Sequence, residues 1–216
     1  MRGGYARFRR AIQVLIASVF TIFALIVLLA GWFAGTEFLV RYKPFYYAMV
    51  PTTAVCFAIL GCANILASRG AARHLWLLRA LLAVVVVIAV LNLVLHQFPA
   101  MSSLDHLLGF PLGEGDRMAD GTAYGLLLAA YCIYCLGLSR PIGADMYRIG
   151  VVMGLTLSFA LLVGHSFVKV AAVDIPIFRE TSFFTALLFL LLFIGLALPD
   201  PRVFALDKGA YRRWRH

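Results

Sequence analysis

LWLLRALLAVVVVIAVLNLVLHQF, running from Leu75 to Phe98, decides the fold class. Apart from Arg79 near its start and Asn92, His96 and Gln97 near its end, every residue in it is apolar. An α-helix needs about 20 such residues to cross the hydrocarbon core of a bilayer, whereas a barrel strand crosses in about 9–11. No repeating polar position gives the segment a wet face. It is expected to be a membrane-spanning helix, since only helices and closed barrels satisfy their backbone groups in lipid.

Similar runs lie on both sides of it. They cover about Ala11–Ala34, Tyr46–Ala67, Thr122–Leu138, Ile149–Val170 and Phe183–Leu198. Over all 216 residues the chain is 63% hydrophobic and 13% charged, with a mean hydropathy of +0.93. A soluble domain carries about 25% charged residues. The expectation is an all-α polytopic membrane protein with six transmembrane helices in a single domain, 1–216. The run after MRGGYARFRR exceeds the core of a signal peptide and reads as a retained first span. All eight prolines fall at span edges or in loops, so the helices are expected to be continuous.

The net charge of +9 sits in tails and turns. No zinc finger, glycine-rich phosphate loop or basic–aromatic groove is present, so the lipid bilayer with its anionic headgroups is the expected partner and nucleic acid is not. The basic residues also orient the chain. The N-terminal tail, the turns around Arg69–Arg79 and Arg140–Arg148, and the segment after Leu198 hold fourteen of the 19 lysines and arginines. Arg41, Lys43, Arg117, Lys169 and Arg179 fall on the other side. Basic residues collect on the cytoplasmic side, so both termini are expected there, in a bacterial inner membrane. The longest outer connection contains SSLDHLLGF, residues 102–110, in which Ser102 or Ser103 can cap a short interfacial helix. Cys56, Cys62, Cys132 and Cys135 lie within expected spans and read as packing residues.

The chain also echoes itself. HQFPAMSSLD (96–105) is followed later by HSFVKVAAVD (165–174), and one constant shift puts His96 on His165, Phe98 on Phe167 and Asp105 on Asp174. The same shift puts Arg79 on Arg148, Met49 on Met118, and Thr53–Ala54 on Thr122–Ala123. The expected repeat units, about 46–110 and 115–179, form a duplicated helical hairpin. Thr185–Ala186 gives a fainter third echo at the sixth span. Thr53 and Thr122 suit helix starts, and Arg79 and Arg148 suit anchors at the inner surface. From Arg79 to His96 a helix rises about 26 Å, which puts both histidines near the outer surface at one depth.

Polar side chains beside the hydrocarbon need partners and mark interior positions. With Asp105, Asp174 and Asn92 nearby, His96 and His165 are candidates for an outward-side small-ligand or proton-responsive site. A second use is ligation of haem b, or of a transition metal, between the two histidines. A third is purely structural bonding to a neighbouring helix or water; for the chain as a whole, a structural subunit of a larger membrane complex is a further alternative. No hydrolytic constellation emerges, and no catalytic residue is assigned.

MVPTTAVCFAILG (49–61), SSLDHLLGF and RMADGTAYGLLLA (117–129) together resemble the multi-span sensory region at the N-terminus of bacterial membrane histidine kinases and diguanylate cyclases. The likeness covers roughly residues 45 to 195. It implies an input module for signal transduction, coupling an outer or lipid-phase signal to a cytoplasmic output domain. No kinase or cyclase segment is present after the sixth expected span, so the expectation is either a sensor whose output domain is missing from this sequence or a free-standing relative. A second membrane protein, or a second copy of the chain, is then the partner through which such a module would act.

Overall fold

The computed structural model describes residues 2–42, 46–68, 74–98, 103–113, 116–137, 142–166 and 180–198. Among these the chain is all-α. Helix α1 (Arg2–Ile26) passes directly into a π-helical segment, Val27–Phe33. A single turn, α2 (Glu37–Val40), precedes α3 (Pro51–Ser68). Then follow α4 (Leu75–His96), the short α5 (Leu104–Leu107), α6 (Asp120–Gly137), α7 (Ile142–Ser166) and α8 (Phe183–Ala197).

Each of the six expected segments is helical over most of its described residues. Four helices are long and apolar enough to cross a membrane: Phe8–Phe33, Pro51–Ser68, Leu75–His96 and Asp145–His165. The fourth and sixth expected spans fold as shorter apolar helices, Asp120–Leu136 and Phe183–Ala197. Packing explains how short helices are accommodated. The closest pairings are α1 with α3, α4 with α6, and α7 with α8; α3 also packs on α4, α6 on α7, and α1 on α8. The helices α3, α6 and α8 touch one another at the centre. Phe57 of α3 meets Phe189 of α8 edge to face at 4.8 Å, and Leu60, Leu126, Ile133 and Leu192 are buried with them. The helices α1, α4 and α7 lie outside this trio and show large apolar side chains to the surroundings, among them Leu15, Val87 and Val152. Such a surface is consistent with embedding in a bilayer.

Several boundaries differ from expectation for local reasons. Helix α3 starts at Pro51, not Tyr46, because proline suits the first helical position and disfavours helix in the residue before it. Residues 46–50 instead run non-helically, with Met49 N–H donating to the Val40 carbonyl at 2.9 Å. Helix α7 begins earlier than Ile149, and its expected end at Val170 lies outside the described residues. The first span is not a continuous α-helix. Its last turns widen without any proline: Ala34 N–H bonds Leu29 O, and Thr36 N–H bonds Ala30 O. The wider turn brings Gly31 against Val40, where a Cβ would stand 2.6 Å from the valine side chain.

In lipid, helices gain little hydrophobic drive from meeting, so close packing of small residues and buried polar pairs hold a bundle together. Gly61 lets α3 approach α1: a Cβ there would lie 1.7 Å from Thr21 Oγ1. Near the opposite end of the bundle from α5, the buried Gln13 donates from Nε2 to Asn64 Oδ1 at 2.8 Å. All four cysteines are free thiols.

Candidate functional site

The sequence-predicted polar residues that the structure describes lie mostly at one end of the bundle, beneath α5. That end collects the starts of α3, α6 and α8 and the finishes of α1, α4 and α7. Helix starts carry partial positive charge and helix finishes partial negative charge, so acids suit the former and N–H donors the latter. The observed contacts follow this rule.

Asp105, on α5, is fully buried at 0% exposure. Its Oδ1 accepts from Thr52 N–H at 2.7 Å, and its Oδ2 lies 2.6 Å from Thr52 Oγ1. The carboxyl group thus caps the start of α3 from another segment of the chain. Burial pushes its pKa above the ordinary carboxylate range, against the lowering effect of the Thr52 bonds. Ser103 caps α5 as expected, accepting from His106 N–H at 3.4 Å. Gly109, with φ +79, closes the turn. Phe110 then packs edge-on to Trp32 and Phe33 at 6.3 and 6.1 Å. The α5 segment is therefore fastened by one polar foot on α3 and one aromatic foot on the π-helical segment.

His96, in the last turn of α4, sets Nδ1 2.5 Å from Asp120 Oδ1 at the start of α6. His165, in the last turn of α7, sets Nδ1 2.7 Å from Leu161 O and Nε2 3.0 Å from Thr181 O, just before α8. Its ring stacks on Tyr46 at 5.6 Å, and Tyr46 O–H donates to the His165 carbonyl at 2.9 Å. The two histidines thus sit at the same end of the bundle but engage different partners. Asn92 is buried and turns back on its own helix, donating to Ile88 O at 3.0 Å. Thr53 and Thr122 are buried in the first turns of α3 and α6, as Thr185 is in α8. Arg79 and Arg148 are exposed, Arg148 lying 3.5 Å from Asp145. Asp174 lies outside the described residues. Among the described residues no group of three or more His, Cys, Asp or Glu side chains is placed to hold a metal ion.

Sequence reasoning missed several participants. Thr52, adjacent to the repeated Thr53, makes the bonds to Asp105. Asp116 is buried and joins Arg41 Nη2 at 2.5 Å while accepting from Ala48 N–H at 3.1 Å, which ties the connection before α6 to the one before α3. Arg117 holds Glu180 through two bonds of 2.7 and 2.9 Å, and this pairing raises the arginine's pKa. Asp120 takes His96; its signal was its place in the repeat, where it stands opposite Pro51 at the other helix start. Trp32 Nε1 donates to Met49 O at 2.8 Å, so each of the three peripheral helices ends in a ring bonded at the entry of a central one.

Compared with known protein families, curated proteins and solved structures, the chain matches none.

Proposed function

We propose that the chain is a membrane-embedded sensory or accessory module of a signalling system. In this reading it spans a bacterial inner membrane six times with both termini in the cytoplasm, and the α5 end faces outward. One observation carries the proposal: rings at the ends of α1, α4 and α7, together with the buried Asp105 on α5, are bonded to the entries of α3, α6 and α8. A proton or small polar ligand acting on these groups alters how a central helix is held at its outer end, and each central helix continues to the opposite end. The resemblance to kinase and cyclase input regions supports the same direction of coupling.

The test is a reporter. The full chain, joined at its C-terminus to a cytoplasmic output domain, is expressed in cells whose external pH and small-molecule supply are varied. Output should change with an external condition, and Asp105→Asn or His96→Gln should alter that response. Correct insertion with output indifferent to every condition and to both substitutions would remove the sensory reading.

A further inference from the structure

The His165 ring has two nitrogens, and both face backbone carbonyl oxygens: Leu161 O at 2.7 Å and Thr181 O at 3.0 Å. A carbonyl only accepts. A neutral imidazole has one N–H and one lone pair, so neither tautomer satisfies both contacts, and one oxygen would face a lone pair at hydrogen-bond distance. Only the doubly protonated ring donates twice. We propose that His165 is a proton-binding site, an imidazolium that pins the end of α7 to the entry of α8. This deepens the sensory reading by naming its ligand at one junction, and only the signalling consequence rests on that reading.

The surroundings suit a cation. The ring lies over the Tyr46 face at 5.6 Å with an interplanar angle of 18°, and Phe183 meets it at 6.0 Å. An aromatic face attracts a positive charge, and the last turn of a helix, where His165 sits, does the same. Among the described residues, the groups in contact with the ring from α7, α8 and the connection before α3 are Leu161, Thr181, Phe183 and Tyr46, of which Tyr46 is titratable. Tyr42 stacks on Phe183 from its far side at 4.7 Å. Glu180, next to Thr181, is held by Arg117 through both carboxylate oxygens. Its charge is thereby matched, so the carbonyls are the acceptors that define the site.

The junction between α1 and α3 shows what the proton adds. There Trp32 Nε1 donates to Met49 O at 2.8 Å, and Met49 stands to Thr53 as Thr181 stands to Thr185. The indole N–H is a donor under all ordinary conditions. At the corresponding α7–α8 junction the donor is an imidazole N–H, which water can remove. Losing that proton leaves one N–H for two carbonyls and turns the other contact repulsive, loosening α7 from the start of α8. The outer solution then sets the state of this junction through its pH.

The experiment uses the full chain with nitrogen-15 in its histidine rings, reconstituted in lipid nanodiscs and read by NMR from neutral to alkaline pH. The His165 resonances are assigned by their loss in His165→Gln and, independently of that variant's folding, by their shift in Tyr46→Phe. The expected result is a ring with both nitrogens protonated at neutral pH, as two carbonyl acceptors require. A single neutral tautomer at neutral pH would overturn the proposal. The outcome is independent of the reporter: a silent reporter with a doubly protonated His165 removes signalling and leaves the site.

Discussion

Asp105 is a carboxyl group with no exposed surface whose two oxygens meet one threonine. In the neutral acid, Oδ2 donates to Thr52 Oγ1 while Oδ1 still accepts from the Thr52 N–H, so protonation breaks neither contact. The folded-state pKa is raised, chiefly by burial. The sign follows: the folded state holds the proton more tightly than the unfolded chain, so this group's stabilisation is fully present below the unfolded value, about 4, and is lost as pH rises through the raised folded value. Thermal unfolding of the full chain in detergent over that acidic-to-neutral window should show stability falling as pH rises. Asp105→Asn places an amide where the neutral acid sits, and it should keep the stability while flattening that dependence. Asp105→Ala leaves the buried Thr52 N–H and hydroxyl unmatched and should cost about 1–3 kcal/mol. An Asn variant as damaged as the Ala variant would mean that the ionised form, not the neutral one, closes the start of α3. The sequence singled out Asp105 through its place in the repeat. It could not name Thr52, because the partner of a capping group held on a distant segment has no fixed spacing.

Helices α1 and α3 meet where Gly61 faces Thr21, and the closeness of that contact sets their separation. A methyl group at position 61 would overlap Thr21 Oγ1, which is itself donating to Ala17 O at 2.6 Å. Relieving the overlap means giving up that bond or moving the helices apart. Gly61→Ala should therefore destabilise the chain by about 1–3 kcal/mol, as overpacking does, and Thr21→Ala in the same chain should recover part of the loss. Equal melting temperatures for the Gly61→Ala chain and the parent would show that the contact is slack. At this scale the helices were legible from their apolar runs, four of them long enough to cross a bilayer and two, α6 and α8, shorter. Their ends were less so. Pro51 marks the start of α3 by its ring, but nothing local marks the widening of α1 after Ile26. That turn goes together with α2 packing back on Gly31, a contact visible only once the chain is folded.

The whole bundle divides into three buried central helices and three that face outward, an arrangement the sequence shows only indirectly. Leucine-rich runs look alike whether they meet lipid or protein. The polar residues carried the better signal, since Thr53, Thr122 and the fainter Thr185 all mark entries of the central trio. The proposed orientation puts α5 outside and the basic tails and turns in the cytoplasm, as the positive-inside rule implies. Leu108 is exposed beside α5 and Met146 is exposed near the start of α7. Cysteine placed at either position can be tested with a membrane-impermeant thiol reagent. The native cysteines serve as the blank, because Cys56, Cys132 and Cys135 are buried and Cys62 lies mid-way along α3 within an apolar helix. Leu108→Cys should react in intact cells, whereas Met146→Cys should react only after the membrane is permeabilised. The reverse pattern would invert the orientation and make α5 a cytoplasmic element. Reaction of both in intact cells would mean that α6, the helix between them, does not cross, and a bundle of six spans would then be wrong however apolar its helices are.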